Sequence, residues 1–245
     1  MQKDLNELIK NLREVKNRGW IQSMRKGPTG VGYTLESCLN IQENNFSVPD
    51  VGDIELKARR KNSTSMITLF TFNKRVWKMD PLRAIQRYGV QDKDKAKDRL
   101  GMYYTMSVKP NNAGLFLHID KEIIAVKSIG GDVIAEWHLN EIVKKFLEKV
   151  KNVLLVTAQV EIRDGVEYFL YDDAVLLSGG TDLNLLRQQF QNEHLMLDLR
   201  LHEKSTHARN HGTAFRVKLY HIQKTIQCCP SPILSIFLPS HTTRT

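Results

Sequence analysis

The spacing of apolar residues along the chain predicts a mixture of helices and strands. Apolar residues recur every three or four positions over 5–15, which predicts a first helix that stops at Gly19. A second helix is predicted after the glycine-rich stretch 27–32, and it carries Glu36. Further helices are predicted over 81–89 behind the N-cap Asp80, over 140–150 with Asn140 as its cap, and from Thr181 onward.

Short apolar or alternating segments bounded by turn residues predict strands between these helices. The predicted strands cover residues 54–59, 66–73, 102–108, 115–119, 123–127, 133–137, 153–162, 166–171, 195–201 and 215–219. Asp164 and Gly165 separate two of these strands and are a strong signal for a two-residue hairpin turn. The order of elements predicts a mixed architecture of the α/β (α+β) class.

The composition is that of an ordinary soluble globular protein. The chain has 245 residues, of which 41% are hydrophobic and 26% charged, enough for one large domain or two lobes. No apolar run approaches the length of a membrane span, and no signal peptide is visible after Met1. Cys38, Cys228 and Cys229 offer neither a disulfide framework nor the spacing of zinc ligands. We therefore expect a protein of the reducing cytoplasm with no membrane partner.

The net charge of +9 comes from one part of the chain. Residues 57–109 contain fourteen Lys or Arg and four Asp, whereas the remainder is close to neutral. Such a concentration of charge is typical of a protein that binds a polyanion such as DNA, although a solvated helix face can also be basic. The candidates for phosphate contacts are Arg59, Arg60, Lys61, Lys74, Arg75, Lys78, Arg83 and Arg87. For the nearby Trp77, Tyr103 and Tyr104 we expect core packing rather than stacking on DNA.

A run of charged residues just before this segment suggests chemistry. Glu55 and Lys57 are two apart in a predicted strand and therefore project from the same face. Pro49 and Gly52 bracket a bend that can bring Asp50 toward them. Two carboxylates suit Mg²⁺, and Lys57 can steer or deprotonate the attacking water and offset charge on the phosphate. This pattern favours a metal-assisted enzyme that cuts DNA.

Other assignments remain open on residue chemistry alone. A carboxylate–carboxylate–lysine spacing of this kind arises by chance in roughly one chain in ten, and a solvated strand edge would look the same. Asp53 shares the predicted strand face of Glu55 and is an alternative ligand to Asp50. Glu36, judged without relatives, is an ordinary helix-surface residue. The glycines at 27–32 lack the following Lys-Ser/Thr pair of a P-loop, which disfavours nucleotide hydrolysis.

A second cluster, at residues 207–216, is a candidate for reading bases. Arg209 and Arg216 carry the guanidinium fork that grips guanine O6 and N7 in the major groove. His207 and His211 can donate to the same acceptors or to phosphate. Alternatively, Arg216 is only the solvent-facing neighbour of an apolar residue in a strand. A metal site here is disfavoured because no acidic residue is close in sequence.

Three segments resemble one group of nucleases. Asp50 after a proline, followed by Glu55-Leu56-Lys57, resembles the PD-(D/E)xK signature. Residues 30–36, Gly-Val-Gly-Tyr-Thr-Leu-Glu, are similar to the helix start of the MutH-like branch. Residues 207–216 resemble the recognition region of MvaI/BcnI-type restriction endonucleases.

The resemblance implies a fold and a set of site residues. The fold is a restriction-endonuclease-like mixed sheet flanked by helices, in a catalytic lobe containing roughly residues 1–110. A second, DNA-recognition lobe lies mainly in the C-terminal half and includes roughly residues 180–225. Asp50, Glu55 and the backbone carbonyl of Leu56 would bind the metal, Lys57 would be the catalytic lysine, and Glu36 would support the metal or water shell.

The resemblance also implies a substrate and a cofactor. Members of the group cut duplex DNA at short CC-N-GG sites, with CCWGG favoured here, and act as monomers without an obligate protein partner. They cut the two strands in separate events with Mg²⁺; we expect Mn²⁺ to substitute and Ca²⁺ to support binding without cleavage. The alternatives are a MutH-like nicking endonuclease of mismatch repair and a non-catalytic basic DNA-binding module.

Overall fold

The computed structural model describes residues 2–41, 49–73, 75–92, 98–218 and 221–226. The helices in these residues are α1 (Gln2–Asn17), α2 (Gly30–Cys38), α3 (Pro81–Tyr88), α4 (Leu139–Val150), α5 (Leu183–Gln191) and α6 (Ile222–Thr225). The strands are β1 (Ile21–Gln22), β2 (Ile54–Arg60), β3 (Ile67–Thr71), β4 (Val90–Gln91), β5 (Leu100–Met106), β6 (Leu115–Ile119), β7 (Ile123–Ser128), β8 (Val133–His138), β9 (Asn152–Arg163), β10 (Val166–Ser178), β11 (Leu195–Glu203), β12 (Ala208–Asn210) and β13 (Ala214–Val217). This mixture confirms the predicted α+β class.

The elements form two compact units, each assembled from separate segments of chain. The first unit contains the described residues of Met1–Thr64 and Glu148–Gly180, together with Ile226. The second unit contains those of Ser65–Leu147 and Thr181–Thr225. No helix in the described part of the chain is long and apolar enough to span a membrane.

The first unit is a four-stranded mixed sheet in the order β1-β10-β9-β2. β2 runs parallel to β9, whereas the other neighbours are antiparallel, and β2 forms an edge of this sheet. Apolar residues of α1 and α2, including Leu12 and Leu35, pack with Leu56, Leu154 and Val156 in one buried cluster. Full burial of each such side chain contributes about 1.5–3 kcal/mol. Because strand residues alternate, the opposite sheet face is left for the polar residues of β2.

The hairpin between β9 and β10 has the predicted turn and a longer second strand than predicted. Asp164 and Gly165 both have positive φ, +50° and +75°, as a type I′ turn requires. β10 continues to Ser178 because a register shift between Tyr171 and Asp173 inserts an extra residue. This bulge interrupts the alternation of buried residues, which is why the sequence pattern ended the strand at residue 171.

The second unit contains two sheets, one in the order β3-β13-β11-β5-β4 with β12 beside β11, and one in the order β6-β7-β8. The alternating leucines of β11 at 195, 197, 199 and 201 are all buried, as their spacing predicted. Phe215 stacks on Phe70 with ring centroids 4.9 Å apart, and Trp137 and Phe190 meet Phe215 edge-on. These rings anchor one face of the larger sheet and leave its other face polar.

Helix starts were predicted well where an acidic side chain caps them. Asp80 accepts a hydrogen bond from the Arg83 amide at 3.0 Å, and α3 begins at Pro81 as predicted. α5 was predicted to begin at Thr181, but it begins at Leu183, and its cap is Asp182, which accepts from the Leu185 amide. α4 begins one residue before Asn140, so the Asn140 cap was wrong.

The aromatic residues near the basic segment differ in exposure. Tyr103 is 46% exposed, so the expectation of core packing was wrong for this ring, which lies on the polar face of its sheet. Trp77 and Tyr104 are half-buried, and the Tyr104 hydroxyl donates to the Tyr88 carbonyl. The short strand β12 was not predicted, and Leu219, the end of the last predicted strand, lies outside the described residues.

Gly30, the first residue of α2, lies against the preceding loop. A Cβ at Gly30 would lie 2.3 Å from the Arg25 carbonyl oxygen and 2.8 Å from Ser23 Oγ, whereas a Cβ at Gly32 would meet only Glu36 Oε1 at 3.9 Å. We expect Gly30→Ala to lower the free energy of unfolding by about 1–3 kcal/mol, because the loop must move. Gly32→Ala, the matched control, should raise it by up to about 1 kcal/mol, because alanine favours the helix. Equal effects of the two variants in chemical denaturation would contradict this account.

Candidate active site

Glu55 and Lys57 lie side by side on the face of β2 opposite the helices. The Glu55 side chain is only 3% exposed, and the Lys57 side chain is 24% exposed. The Lys57 ammonium donates directly to Glu55 Oε1. A nearly buried carboxylate is costly unless a cation compensates its charge, and Lys57 provides that compensation.

A tight turn brings Asp50 back to the start of β2. Val51 and Ile54 exchange two backbone hydrogen bonds of 3.0 and 2.8 Å, and Gly52 between them has φ +57°. A positive φ at the first central position is what a two-residue turn of type II′ requires, and glycine adopts it without strain. Asp50 Oδ2 then accepts a hydrogen bond of 2.8 Å from the Leu56 amide. The bend expected from Pro49 and Gly52 is therefore present, and it fixes this carboxylate at the strand.

The Leu56 backbone faces the free edge of the sheet. Its amide donates to Asp50 rather than to β9, and the amide and carbonyl of one strand residue point to the same side. The Leu56 carbonyl therefore points to the same edge as the Asp50 carboxylate.

A cavity of about 250 Å³ opens beside this edge. Its lining includes Leu56 and Lys57 from β2, Gly32 and Glu36 from α2, and Arg25 from the loop before α2. Glu36 is half-buried on α2, so the structure brings it to the cavity that Lys57 lines.

Lys149 is a site residue that sequence reasoning missed. It lies in the last turn of α4 with its side chain 16% exposed, and its Nζ is 3.0 Å from Glu55 Oε2. The contact is an ion pair without hydrogen-bond geometry, since Oε2 has no hydrogen-bond partner among the described residues. Glu55 therefore lies between two ammonium groups. A basic residue in the last turn of a helix is common, so the sequence carried no signal for this contact.

Arg59 extends the same face of β2 beyond Lys57. Burial lowers the pKa of the Arg59 guanidinium, and the nearby Asp173 opposes that shift. The group still carries its charge at neutral pH, because arginine titrates far above it. Its Nη1 donates to the Lys61 carbonyl at 3.3 Å, which directs the guanidinium along the strand. Arg59 therefore adds positive charge to the face that carries Glu55 and Lys57.

The Arg60 side chain points to the opposite face and is hydrogen-bonded within the protein. Its guanidinium makes two hydrogen bonds to the Glu167 carboxylate, at 2.9 and 2.7 Å. It also donates to the carbonyls of Pro28 and Gly27, at 2.9 and 3.0 Å. Arg60 thus fastens the glycine-rich loop before α2 to the sheet. This engagement competes with the phosphate contact predicted for it.

The other predicted phosphate contacts differ in availability. Lys61 is exposed, with its Nζ 3.7 Å from Asp172 Oδ2, and Arg75 and Arg83 are also exposed. Lys78 pairs with Glu136 at 3.3 Å, and Arg87 pairs with Asp132 at 3.0 Å. Lys74 lies outside the described residues.

Asp53, the alternative ligand, is directed elsewhere. Its carboxylate accepts a hydrogen bond of 2.9 Å from the buried Asn152 side chain at the start of β9. Asp53 lies in the turn before β2 and not on the strand face of Glu55. Asp50 therefore fits the second carboxylate position better than Asp53.

In the second unit, His207, Arg209 and His211 are exposed around β12. Arg216 is instead half-buried: its Nη1 bonds Asp198 Oδ2 at 2.5 Å and its Nη2 donates to the Met66 carbonyl at 2.8 Å. The fork of Arg216 is thus engaged within the sheet, whereas that of Arg209 faces solvent.

A hydrogen-bonded cluster joins the recognition segment to the polar sheet face. His202 Nδ1 lies 2.9 Å from the Tyr103 hydroxyl and 3.2 Å from His211 Nε2. Burial lowers the pKa of both His202 and His211, and the neighbouring Arg99 and Arg209, respectively, lower it further. Because the ordinary pKa of histidine is already near 6.5, both rings are neutral at pH 7 and act as hydrogen-bonding groups.

The carboxylates suit a hard divalent cation. The described residues contain no group of three or more His, Cys, Asp and Glu side chains arranged around a common metal position. Mg²⁺ is often held by only one or two carboxylates, with water and other oxygens completing the shell. Asp50 and Glu55 supply that number, and the two ammonium groups at Glu55 already mark its surroundings as a place for positive charge.

Comparison with known proteins assigns the chain to one family of nucleases. A family model of restriction endonucleases matches residues 9–224, which is most of the chain. The chain belongs to that family, the MvaI/BcnI restriction endonucleases, and is thus a type II site-specific deoxyribonuclease.

A solved structure confirms the fold. The restriction endonuclease MvaI in complex with a cognate DNA substrate matches with a TM-score of 0.78 and 24% identity, over 92% of this chain and 97% of that one. MvaI in the absence of DNA matches with a TM-score of 0.49 and 24% identity, over 89% and 93%. No protein with a curated description matches the chain.

The position of Lys149 generates a prediction about cation affinity. An ammonium 3.0 Å from Glu55 competes with any cation for the same carboxylate. We expect Lys149→Met to tighten Ca²⁺ or Mn²⁺ binding to the DNA-free protein by about tenfold. This corresponds to about 1.4 kcal/mol of binding free energy, which the wild type loses in breaking the Lys149–Glu55 ion pair. Titration calorimetry measures this affinity. The control Lys151→Met removes the same charge from an exposed side chain two residues away; weaker or unchanged binding by Lys149→Met would contradict the expectation.

Proposed function

We propose that the protein is a Mg²⁺-dependent restriction endonuclease that cuts double-stranded DNA at a short CC-N-GG site, with CCWGG as the favoured member. It acts in the cytoplasm as a monomer without an obligate protein partner, and it cuts the two strands in separate events. The observation that carries the proposal is the convergence of Asp50, Glu55 and Lys57 at the free edge of β2. Family membership supports the reaction, and resemblance to the family supports the site sequence.

Two carboxylates and one carbonyl would hold the cation. One carboxylate oxygen of Asp50 accepts a hydrogen bond from the Leu56 amide, which leaves the other oxygen available to a cation. Glu55 lies at the start of the same strand, β2. The Leu56 carbonyl points to the same edge and is the candidate third oxygen. A Mg²⁺ ion held by these oxygens would supply Lewis-acid chemistry, polarising the phosphate and lowering the pKa of a bound water.

Lys57 and Glu36 support the attack on phosphorus. Lys57 lines the cavity beside the strand edge, where its ammonium can orient the attacking water and offset the charge that develops on the phosphate. Glu36 lines the same cavity from α2 and can hold that water by a hydrogen bond. The roles are complementary, because one group stabilises negative charge and the other accepts a hydrogen bond from the water.

DNA binding would use both units. Arg59, Lys61 and Arg75 offer positive charge that neutralises phosphates without reading sequence. Arg209, with the exposed His207 and His211, offers donors for base edges. The matching MvaI structure holds a cognate DNA substrate, which supports a duplex as the partner.

Digestion of a plasmid tests the function. Supercoiled plasmid with a single CCWGG site, incubated with protein and Mg²⁺, should give nicked circles first and linear DNA later, because the strands are cut in separate events. Sequencing of the ends should place both cuts inside the site, and a plasmid without the site should remain supercoiled. Nicked circles as the only product would instead favour a repair nickase, and a gel shift without any cutting would favour a binding module.

Variants at the strand edge test the residue roles. Lys57→Met should lower the single-turnover cleavage rate by about 10²–10⁴-fold, because water loses its positioning group, and Glu55→Gln should abolish cleavage. Both should still bind the site in Ca²⁺ by gel shift. Lys144→Met, which removes an exposed charge on α4, is the control and should cut normally. Normal cleavage by Lys57→Met or Glu55→Gln would contradict the assignment.

A further inference from the structure

The polar face of the larger sheet in the second unit carries Arg200, which lies outside the catalytic edge and the exposed cluster around β12. Arg200 lies on β11, two residues from Asp198 on one side and two from His202 on the other, so all three share a face. Its partner in the register of β5 is the exposed Tyr103. The half-buried side chain of Arg200 therefore lies on the sheet face that also carries the exposed Arg209 of β12.

Two hydrogen bonds bind Arg200 to the loop after β12. Its Nε donates to the Gly212 carbonyl at 3.0 Å, and its own backbone carbonyl accepts from the His211 amide at 2.9 Å. Fixing Nε fixes the plane of the guanidinium, because the group is rigid and flat.

The loop that holds Arg200 is itself fixed. Gly212 has φ +95° and donates through its amide to Asn210 Oδ1 at 2.8 Å. The next amide, of Thr213, donates to Asn73 Oδ1 at 2.9 Å. A Cβ at Gly212 would lie 3.3 Å from Thr71 Cβ, so the loop packs closely on β3. Arg200 thus starts from a preorganised position.

The outer end of the Arg200 fork has no hydrogen-bond partner among the described residues. Nη1 and Nη2 of Arg200 make no hydrogen bond within the described ranges 2–41, 49–73, 75–92, 98–218 and 221–226. Burial lowers the pKa of this guanidinium; Asp198 opposes the shift, and Arg216 adds to it. A partly desolvated cation with two unused donors gains most from a ligand that offers two acceptors side by side. Arg216 differs, because Asp198 and Met66 already occupy both of its terminal nitrogens.

We propose that Arg200 is a specificity-determining residue that reads one guanine of the DNA site, donating from Nη1 and Nη2 to its O6 and N7. The inference rests on the proposed function, since it names a base-reading residue for that DNA site. A phosphate also offers paired acceptors, but charge alone attracts it, and a flexible lysine serves as well. A fork locked at Nε and presented beside the donors of β12 matches the fixed geometry of a base edge.

Selection from a random duplex pool tests the proposal whatever the recognised sequence is. Wild-type protein, Arg200→Lys and Arg187→Lys select duplexes in Ca²⁺, and the bound fractions are sequenced. Arg200→Lys keeps the charge and removes the fork. Arg187→Lys is the control, because Arg187 lies on α5 and bonds Asn184 of its own helix. The wild type and Arg187→Lys should enrich the same site, whereas Arg200→Lys should lose about ten- to a hundredfold preference at one guanine only.

Each other outcome has a separate meaning. If the wild type enriches no sequence, the proposed function fails rather than the role of Arg200. If Arg200→Lys enriches the full site as strongly as the wild type, Arg200 does not read a base. If it binds every sequence more weakly by the same factor, Arg200 contacts phosphate, and the proposal is overturned.

A base analogue keeps the test decisive if Arg200→Lys does not fold. Replacing the guanines of the selected site one at a time by 7-deazaguanine removes the N7 acceptor. Wild-type affinity should fall at each guanine whose N7 the protein contacts, and Arg200→Gln should show no further loss at one of these positions while remaining sensitive at the others. Equal sensitivity of wild type and Arg200→Gln at every guanine would overturn the assignment.

Discussion

The hydrogen bond from the Leu56 amide to the Asp50 carboxylate is the contact on which the candidate active site depends. It can form only because β2 is an edge strand, whose outward amides have no neighbouring strand to bond in the described part of the chain. In a central strand the same amide would donate to the neighbouring strand, and Asp50 would lose this hydrogen bond. The outer edge of β2 therefore holds the Asp50 carboxylate, and the Leu56 carbonyl points to the same side.

The charges around Glu55 follow from its burial. A carboxylate 3% exposed must be neutralised, and the fold supplies one ammonium from its own strand and another from the end of α4. This positive charge compensates the Glu55 carboxylate in the free protein. The same charge attracts a polyanion. Arg59, further along the strand, extends this positive charge beyond Glu55 and Lys57.

The sequence predicted what depends on neighbours in the chain. Alternation located β2 and β11, and the spacing of Asp50, Glu55 and Lys57 predicted that these residues lie together at the start of β2, because strand and turn geometry act over a few residues. Contacts between distant segments left no such trace. Lys149 is 94 positions after Glu55, and nothing in its local sequence distinguishes it from other helix-end lysines. Arg60, one of the predicted phosphate contacts, is a second example. Its hydrogen-bond acceptors lie 32, 33 and 107 residues away along the chain, so its local sequence did not reveal that the protein itself binds this guanidinium.

The parallel pairing of β2 with β9 has a consequence for synthesis of the protein. Glu55 pairs in register with Val153, and the intervening chain contains a large part of the second unit. Because synthesis proceeds from the N-terminus, β2 cannot pair with β9 until well over half of the polypeptide has emerged from the ribosome. The candidate site is therefore completed late, and nascent fragments that already contain Asp50, Glu55 and Lys57 have no sheet to hold them in place.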